Sequence, residues 1–415
     1  MAPRPAAAVA WALFDFANSA YPTVITTFVF SAYVTRALAP DPATGTAAWG
    51  YAMAAAGLAI AVLAPWAGAR ADRRGQRKPW LAVTMSVVVS GTALMALVRP
   101  DPALLLPALI LAGVTTVAFE VGCVFYNAML PDLGPAHRLG RLSGWAWGLG
   151  YAGGLACLLG ALALIQSQPP PWGLDPAVAE PVRATCLLVA VWIVVFGWPL
   201  FVFVPEGPPR LAPPPERRSV RAVLRQSPAL AWFLLASLLY TDGITTLFAF
   251  GGIYAAGTFG LGFDQIILFG IALNVSAGLG AAAFGWIDDR LGSGRTIVLG
   301  LAGLLGFGTA VLLVREAAWF VGLAVGMGTF FGPVQAAGRT WLARTAAPEH
   351  RSQIFGLYAM TGRVTAFLGP LGVAVVTDLS GSQRAGMAVV LVFLGGGLLA
   401  LLRALALEKK HVWGG

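Results

Sequence analysis

The chain has 415 residues, of which 58% are hydrophobic and only 11% are charged, whereas an average soluble domain has roughly 25% charged residues. So few charges cannot cover the surface of a soluble protein of this length, which excludes an ordinary soluble enzyme, a disordered chain and, despite a pI of 9.9, a nucleic-acid-binding protein. The mean hydropathy of +0.77 predicts an all-α membrane protein instead. Cysteine and histidine show no metal-binding spacing, so we expect no metal and no cofactor.

Apolar segments with almost no charge recur along the whole chain. Each is near the roughly 20 residues that a helix needs to cross a bilayer, and only a helix satisfies its backbone groups within one segment there. We predict twelve transmembrane spans, at residues 9–37, 48–69, 80–98, 103–129, 143–165, 184–204, 229–257, 264–287, 296–314, 317–342, 353–377 and 386–407.

The placement of positive residues predicts the orientation. Twenty of the 27 Lys and Arg residues fall in one set of connections and tails, five fall in the opposite set, and two fall within spans. Because positive loops stay in the cytoplasm, both termini are expected there, with anionic lipid headgroups as partners of the loops. The excess of 24 Arg over 3 Lys suggests a GC-rich bacterial genome, and therefore the inner membrane.

One polar segment interrupts the series of spans. Residues 205–228 are rich in proline and arginine and lie between spans six and seven. We interpret them as a cytoplasmic linker that ends in a short basic amphipathic piece. The predicted organisation is an N-terminal six-helix bundle at 1–204, the linker at 205–228, and a C-terminal six-helix bundle with a short tail at 229–415, working as a monomer.

Two short motifs recur at the same distance along the chain. The pattern GxxxDRxG followed by arginine occurs after span two and again after span eight, and a Pro-acid pair after span four recurs after span ten, each repeat being 217 residues apart. A shared offset argues for duplication of a six-helix unit. The residues concerned are Gly68, Asp72, Arg73, Gly75, Arg77 and Asp132 in the first half, and Gly285, Asp289, Arg290 and Glu349 in the second.

The repeated motif has a mechanical interpretation as a cytoplasmic gate. Its first glycine allows close approach of two helices, and its Asp can face the positive N-terminus of a neighbouring helix. Its arginines can bridge to an acid such as Asp132 or Glu349. The alternative is a basic loop that only fixes the topology of the chain.

These motifs resemble the signature of the loop between spans two and three in the major facilitator superfamily. Further stretches are similar to the vacuolar amino-acid effluxer (autophagy-associated) branch and its bacterial relatives. They are residues 11–20, 126–132, 143–151, 240–243, 335–339 and 355–358. The resemblance implies two pseudo-symmetric six-helix bundles, alternating access and secondary transport. A polytopic membrane enzyme would need a nucleophile, a metal cluster or a cytoplasmic catalytic motif, and the sequence shows none, so we expect no enzymatic activity.

Ionisable residues within a span are costly unless paired or hydrated, and are functional candidates. Five qualify, namely Asp15, Glu120, Asp242, Arg339 and Arg363. The first four lie on spans one, four, seven and ten, which line the central cavity in the superfamily. We expect the three carboxylates to surround a hydrated cavity and at least one to carry a proton, with Arg363 or Arg339 either neutralising the deprotonated form or holding a substrate carboxylate. The alternative is static ion pairing between helices.

Neighbouring polar and aromatic side chains complete the predicted site. Asn18 shares a helix face with Asp15, and Pro22 follows as a candidate kink. Tyr21 and Tyr126 are candidate substrate contacts, although packing would equally explain them.

The sequence therefore predicts a proton-coupled symporter or antiporter for a small polar or zwitterionic solute such as an amino acid. One alternative is a multidrug or lipid-like exporter of the same superfamily. A non-transporting membrane sensor is a second alternative.

Overall fold

The computed structural model describes residues 5–206 and 220–412, and these ranges contain helices but no strand. In the first half the α-helices are α1 (Pro5–Asn18), α2 (Phe30–Tyr33), α3 (Pro42–Arg74), α4 (Lys78–Met95), α5 (Leu105–Ala128), α6 (Leu139–Gln166) and α7 (Glu180–Phe203). In the second half they are α8 (Val220–Gln226), α9 (Pro228–Phe259), α10 (Phe263–Leu291), α11 (Ser293–Leu313), α12 (Ala317–Gly328), α13 (Phe331–Thr345), α14 (Arg351–Val364), α15 (Leu368–Ser380) and α16 (Gln383–Val412).

Eleven helical stretches of the described ranges are long and apolar enough to cross a membrane, and they correspond to the predicted spans two to twelve. The prediction of an all-α membrane protein is therefore confirmed. Residues 207–219 of the predicted linker lie outside the described residues, and its C-terminal end forms the short helix α8.

The first predicted span is helical but not a uniform α-helix. After α1 the chain adopts π-helical geometry over Tyr21–Phe28, then forms α2, and returns to π-helical geometry over Val34–Leu38. Pro22 has no N–H to donate to the carbonyl of Asn18, so the α-helical hydrogen-bond ladder cannot continue through it. The break lies directly after the predicted site residues Asp15 and Asn18. Wide π turns of this kind occur often at functional sites.

Spans ten and eleven are each divided into two helices. Span ten breaks between α12 and α13, where Pro333 cannot donate to the carbonyl of Thr329. Span eleven breaks between α14 and α15, just before Pro370. The second break creates a helix N-terminus within a span, and the first amides of α15 have no carbonyl of their own helix to bond.

The chain divides into two compact units, and each unit combines segments that are distant in sequence. Among the described residues, unit 1 comprises 5–134, 149–206 and 350–359, and unit 2 comprises 135–148, 220–349 and 360–412. The start of α6 therefore belongs to unit 2 and the start of α14 to unit 1. The division into two contiguous bundles joined by a linker stays a prediction.

The core of unit 1 is built from α1, α3, α4, α5 and α7, with α1 packed on α7 and with α3 and α4 packed on α5. Trp11 and Tyr126 stack with their ring centroids 4.5 Å apart. The Trp11 indole N–H donates to the Tyr126 carbonyl, and the Tyr126 hydroxyl donates to the Trp11 carbonyl, each at 3.0 Å. Since both side chains are fully buried, this reciprocal pair fixes α1 on α5.

The core of unit 2 is built around α9 and α11. Helix α9 packs along α16, and α11 packs on α13 and α16. Phe233 of α9 stacks on Trp341 of α13 with ring centroids 3.9 Å apart.

Close packing within unit 1 depends on Gly153 of α6. A Cβ at this position would overlap the backbone carbonyl of Phe16 in α1. We expect Gly153→Ala to lower the melting temperature of the purified protein in detergent by several degrees, because overpacking costs about 1–3 kcal/mol. Gly306→Ala on α11 is the control, since a Cβ there meets no atom within 4 Å. Equal melting temperatures for the two variants would contradict this packing.

Candidate functional site

The first repeat motif closes the end of α3 in unit 1. Gly75 follows the helix with φ +69°, a conformation that glycine adopts without steric cost. One turn earlier, Asp72 is 4% exposed, and its carboxylate oxygens accept the amide N–H groups of Ser352 at 3.0 Å and Gln353 at 2.9 Å. These amides lie in the first turn of α14 and have no partner within that helix. Asp72 therefore caps the positive end of α14.

The first glycine of the motif makes this contact possible. A Cβ at Gly68 would overlap the backbone carbonyl of Ser352. Helices α3 and α14 can approach closely enough for the carboxylate to reach the amides only because residue 68 has no side chain.

An ionic cluster surrounds the capped helix end in unit 1. Asp132 accepts from Arg77 at 2.7 Å and from Arg351 at 2.8 Å, and Arg77 also donates to the Ser352 hydroxyl at 3.2 Å. The Asp132 side chain is 50% exposed, and exposed ion pairs contribute about 0–1 kcal/mol each. The buried Asp72 contact is therefore the stronger interaction of the two.

Glu206 is a member of this region that the sequence analysis missed. Its carboxylate accepts the amide N–H of Arg77 at 2.6 Å and that of Lys78 at 3.0 Å, which caps the start of α4. Glu206 lies within the predicted linker 205–228, where nothing in the local pattern indicates a partner 129 residues earlier.

The second repeat motif has the same arrangement in unit 2. Gly292 follows α10 with φ +87°. Asp289 accepts the amide N–H of Gly140 at 2.8 Å and that of Arg141 at 3.3 Å, in the first turn of α6. The Arg141 guanidinium adds an ion pair at 2.7 Å. Gly285 packs directly on the backbone of the same two residues. Each copy of the motif thus places a carboxylate on the first turn of a helix.

The second copy has an additional buried ion pair. Asp288 is 2% exposed and pairs with Arg344 at 2.6 Å, and Arg344 also reaches Asp289 at 3.1 Å. The Ser293 hydroxyl donates to Asp288 at 2.7 Å. The corresponding residue in the first copy is Ala71.

Three predicted gate residues are not brought into these clusters. Glu349, which we expected as an acid partner, is exposed, and Arg344 and Arg351 are the residues that form the ion pairs nearby. Arg73 and Arg290 likewise make no ion pair or hydrogen bond with residues of the described ranges. Arg141 and Arg344 were missed, because a basic residue at a helix end is equally consistent with fixing topology.

Asp242 is a buried carboxylate in the middle of α9, 3% exposed. One of its oxygens accepts the amide N–H of Gly369 at 3.1 Å, in the first turn of α15. The other oxygen is buried and has no hydrogen-bond partner within residues 5–206 and 220–412. A Cβ on Gly369 would overlap the Thr246 hydroxyl, so glycine allows this contact. Interrupted helices whose N-termini face an anionic group are a recurring feature of transporter sites.

Arg339 is buried in unit 2, with 3% of its surface exposed. Its guanidinium donates to the hydroxyl of Ser143 at 2.9 Å and to the carbonyl of the same residue at 2.8 Å. The guanidinium carbon also lies 5.8 Å from the ring centroid of Trp147. Arg339 therefore binds the first turns of α6 through a fixed set of contacts.

The remaining predicted site residues are distributed over both units. Asp15 and Glu120 are half-buried in unit 1, and Arg363 is exposed near the end of α14 in unit 2. The Asn18 amide contacts the Cys123 sulfur at 3.4 Å, and the Tyr21 hydroxyl lies 2.6 Å from the Thr115 hydroxyl. The last two contacts attach the first span to α5, in the same region as the packing of Tyr126. A shared hydrated cavity stays a prediction.

Solved structures of the same architecture exist. The human organic anion transporter MFSD10 superposes with a TM-score of 0.78 at 16% sequence identity, covering 97% of this chain and all of that one. At this level of identity the likeness shows the fold alone, that of an all-helical membrane transporter.

Two relatives are similar to this chain in sequence. An MFS-type transporter of Bacillus subtilis, YxiO, is 28% identical over 400 residues, which cover 93% of this chain and 92% of the relative. Autophagy-related protein 22 of the fungus Cryptococcus neoformans is 28% identical over 239 residues, covering 50% of this chain and 43% of the fungal protein. The resemblance to the autophagy-associated branch is confirmed as homology.

The family model of the Major Facilitator Superfamily matches residues 6–370, most of the chain. With the helical architecture and the duplicated GxxxDRxG motif, this match establishes that the chain belongs to the major facilitator superfamily, a family of multi-pass membrane transporters for small molecules.

Proposed function

We propose that this protein is a proton-coupled secondary transporter that moves a small zwitterionic solute, such as an amino acid, by alternating access. Membership of the superfamily supports the transport of a small molecule. The resemblance to the vacuolar amino-acid effluxer branch, which the homology to autophagy-related protein 22 supports, favours an amino acid as the solute. The proposed coupling to protons rests on the buried carboxylate of Asp242, which contacts the N-terminus of α15.

Two opposing forces act on the Asp242 carboxylate. Ionised, it is a charge in an apolar interior with one oxygen lacking any hydrogen bond among the described residues, which is costly. The Gly369 amide and the positive end of α15 favour the same ionised state. A carboxylate held between these forces can take up and release a proton when its surroundings change, as a coupling site requires.

Recognition of a zwitterion requires charged groups of both signs. Asp15 and Glu120 supply negative charge on spans one and four, and Arg363 supplies positive charge on span eleven, whereas Arg339 on span ten is already bound to Ser143. In this proposal an acid binds the substrate amine and an arginine binds its carboxylate.

The two capped helix ends are proposed to act as the cytoplasmic gate. Asp72 on α14 and Asp289 on α6 are equivalent contacts, which depend on close backbone approach at Gly68 and Gly285. Alternating access would break these caps in one state and restore them in another.

We further propose that both termini face the cytoplasm of a bacterial cell and that the protein works as a monomer in the inner membrane. The distribution of Lys and Arg between the connections supports the orientation. The Bacillus relative supports a bacterial membrane.

The proton site is tested by Asp242→Asn in proteoliposomes. We expect the variant to keep solute exchange but to lose solute-driven proton flux, because an amide cannot take up the coupled proton. Asp378→Asn is the matched control, since Asp378 is an exposed carboxylate on α15. Proton flux in Asp242→Asn equal to that of the unmodified protein would overturn the assignment.

The solute class is tested by thermal unfolding of the purified protein with a panel of amino acids, sugars, hydrophobic cations and lysolipids. Binding to the folded state raises the melting temperature as the ratio of ligand concentration to Kd grows. We expect at least one amino acid to raise it. Stabilisation by hydrophobic cations or lysolipids without any amino-acid effect would favour the multidrug or lipid-like exporter.

The gate is tested by Asp72→Ala and hydrogen–deuterium exchange. Loss of a helix N-cap costs about 1 kcal/mol, so the amides of Ser352 and Gln353 should exchange several-fold faster. Glu349→Ala is the control and should leave their exchange unchanged. Unchanged exchange in Asp72→Ala would show that the cap does not hold α14.

A further inference from the structure

A cavity of about 990 Å³ lies within unit 2, where α11 begins and where α13 and α16 end. Its lining is mostly apolar, with Arg295, Arg344 and Glu408 as the charged exceptions. None of these residues takes part in the transport site proposed above, although Arg344 belongs to the ion pair of the second repeat motif.

The cavity contains one cation and one anion that lack partners among the described residues. Arg295 is exposed in the first turn of α11, and Glu408 is partly buried towards the end of α16. Within the described ranges neither forms a hydrogen bond or an ion pair, and the two do not pair with each other. Arg344 differs, because Asp288 and Asp289 already balance its charge.

This charge arrangement selects the class of ligand. A simple anion would bind Arg295 but would be repelled by Glu408. A simple cation would bind Glu408 but would be repelled by Arg295. A group that carries both a negative and a positive charge would satisfy both side chains.

Trp341 adds an independent indication of a ligand. It lines the cavity and is 5% exposed, and its indole N–H is buried without any hydrogen-bond partner in the part of the chain that the structure describes. An unsatisfied buried donor costs about 1–3 kcal/mol. A phosphate or ester oxygen bound in the cavity would provide the missing acceptor, next to the amides at the start of α11.

The apolar walls indicate a hydrocarbon tail. Leu299 and Leu402 line the cavity and are 44% and 46% exposed, on helices long and apolar enough to span a membrane. The cavity is thus continuous with apolar surface of the kind that contacts lipid chains.

We propose that this cavity binds one phospholipid with a zwitterionic phosphoethanolamine headgroup. The phosphate is held by Arg295 and the Trp341 indole N–H, the primary ammonium by Glu408, and an acyl chain lies along Leu299 and Leu402. A primary ammonium suits Glu408 because it can donate hydrogen bonds to the carboxylate.

The test is native mass spectrometry of the full-length protein in detergent, titrated with phosphatidylethanolamine, phosphatidylcholine and phosphatidylglycerol of identical acyl chains. We expect phosphatidylethanolamine to bind most tightly. Arg295→Gln should weaken it about tenfold, the usual effect of losing one hydrogen bond to a charged group. Glu408→Gln should weaken it similarly and shift the preference to phosphatidylglycerol. Trp341→Phe keeps the ring on Phe233 and should weaken binding several-fold.

Arg138→Gln removes an exposed arginine outside the cavity and is the matched control for non-specific lipid attachment. Melting temperatures without added lipid identify any variant that is merely misfolded. Equal lipid binding by Arg295→Gln, Glu408→Gln and the control would overturn the proposal, as would a preference of the unmodified protein for phosphatidylglycerol. Glycerophosphoethanolamine binding as tightly as the lipid would overturn the role of the acyl chain.

Discussion

Contact between a buried carboxylate and the first amides of a helix recurs in this protein and organises its candidate site. Asp72 binds the start of α14, Asp289 the start of α6, and Asp242 the start of α15. In each case the carboxylate satisfies amides that have no partner in their own helix, and the helix end provides the positive potential that a desolvated carboxylate needs. At Asp72 and Asp242 the helix amides are the partners described above, whereas Asp289 also forms ion pairs with Arg141 and Arg344.

The three contacts differ in what surrounds them, and this difference separates their proposed roles. Asp72 and Asp289 lie beside arginines and each uses both oxygens. Asp242 has one amide, and its second oxygen has no partner among the described residues. The first two are suited to holding helices together, and the third is suited to changing its protonation state.

Much of the fold could be predicted from the sequence, because the length and low charge of each apolar run are set by the bilayer. The duplicated motif also predicted that its Asp faces the N-terminus of a neighbouring helix and that its first glycine allows two helices to approach closely. The ionic partners could not be predicted in the same way. Glu349 was expected beside the second motif, where Arg344 and Asp288 form the ion pair instead, because the choice depends on how distant helices pack. Pro22 indicated a kink in the first span, but the sequence did not indicate the π-helical geometry over Tyr21–Phe28.

The central claim is that Asp242 exchanges a proton during transport. Difference infrared spectroscopy of the reconstituted protein, recorded with and without its solute, tests it most directly. The account predicts a carbonyl-stretch band of a protonated carboxyl group that changes on solute binding and is absent from Asp242→Asn. An identical band change in the variant, or no change in the unmodified protein, would contradict it.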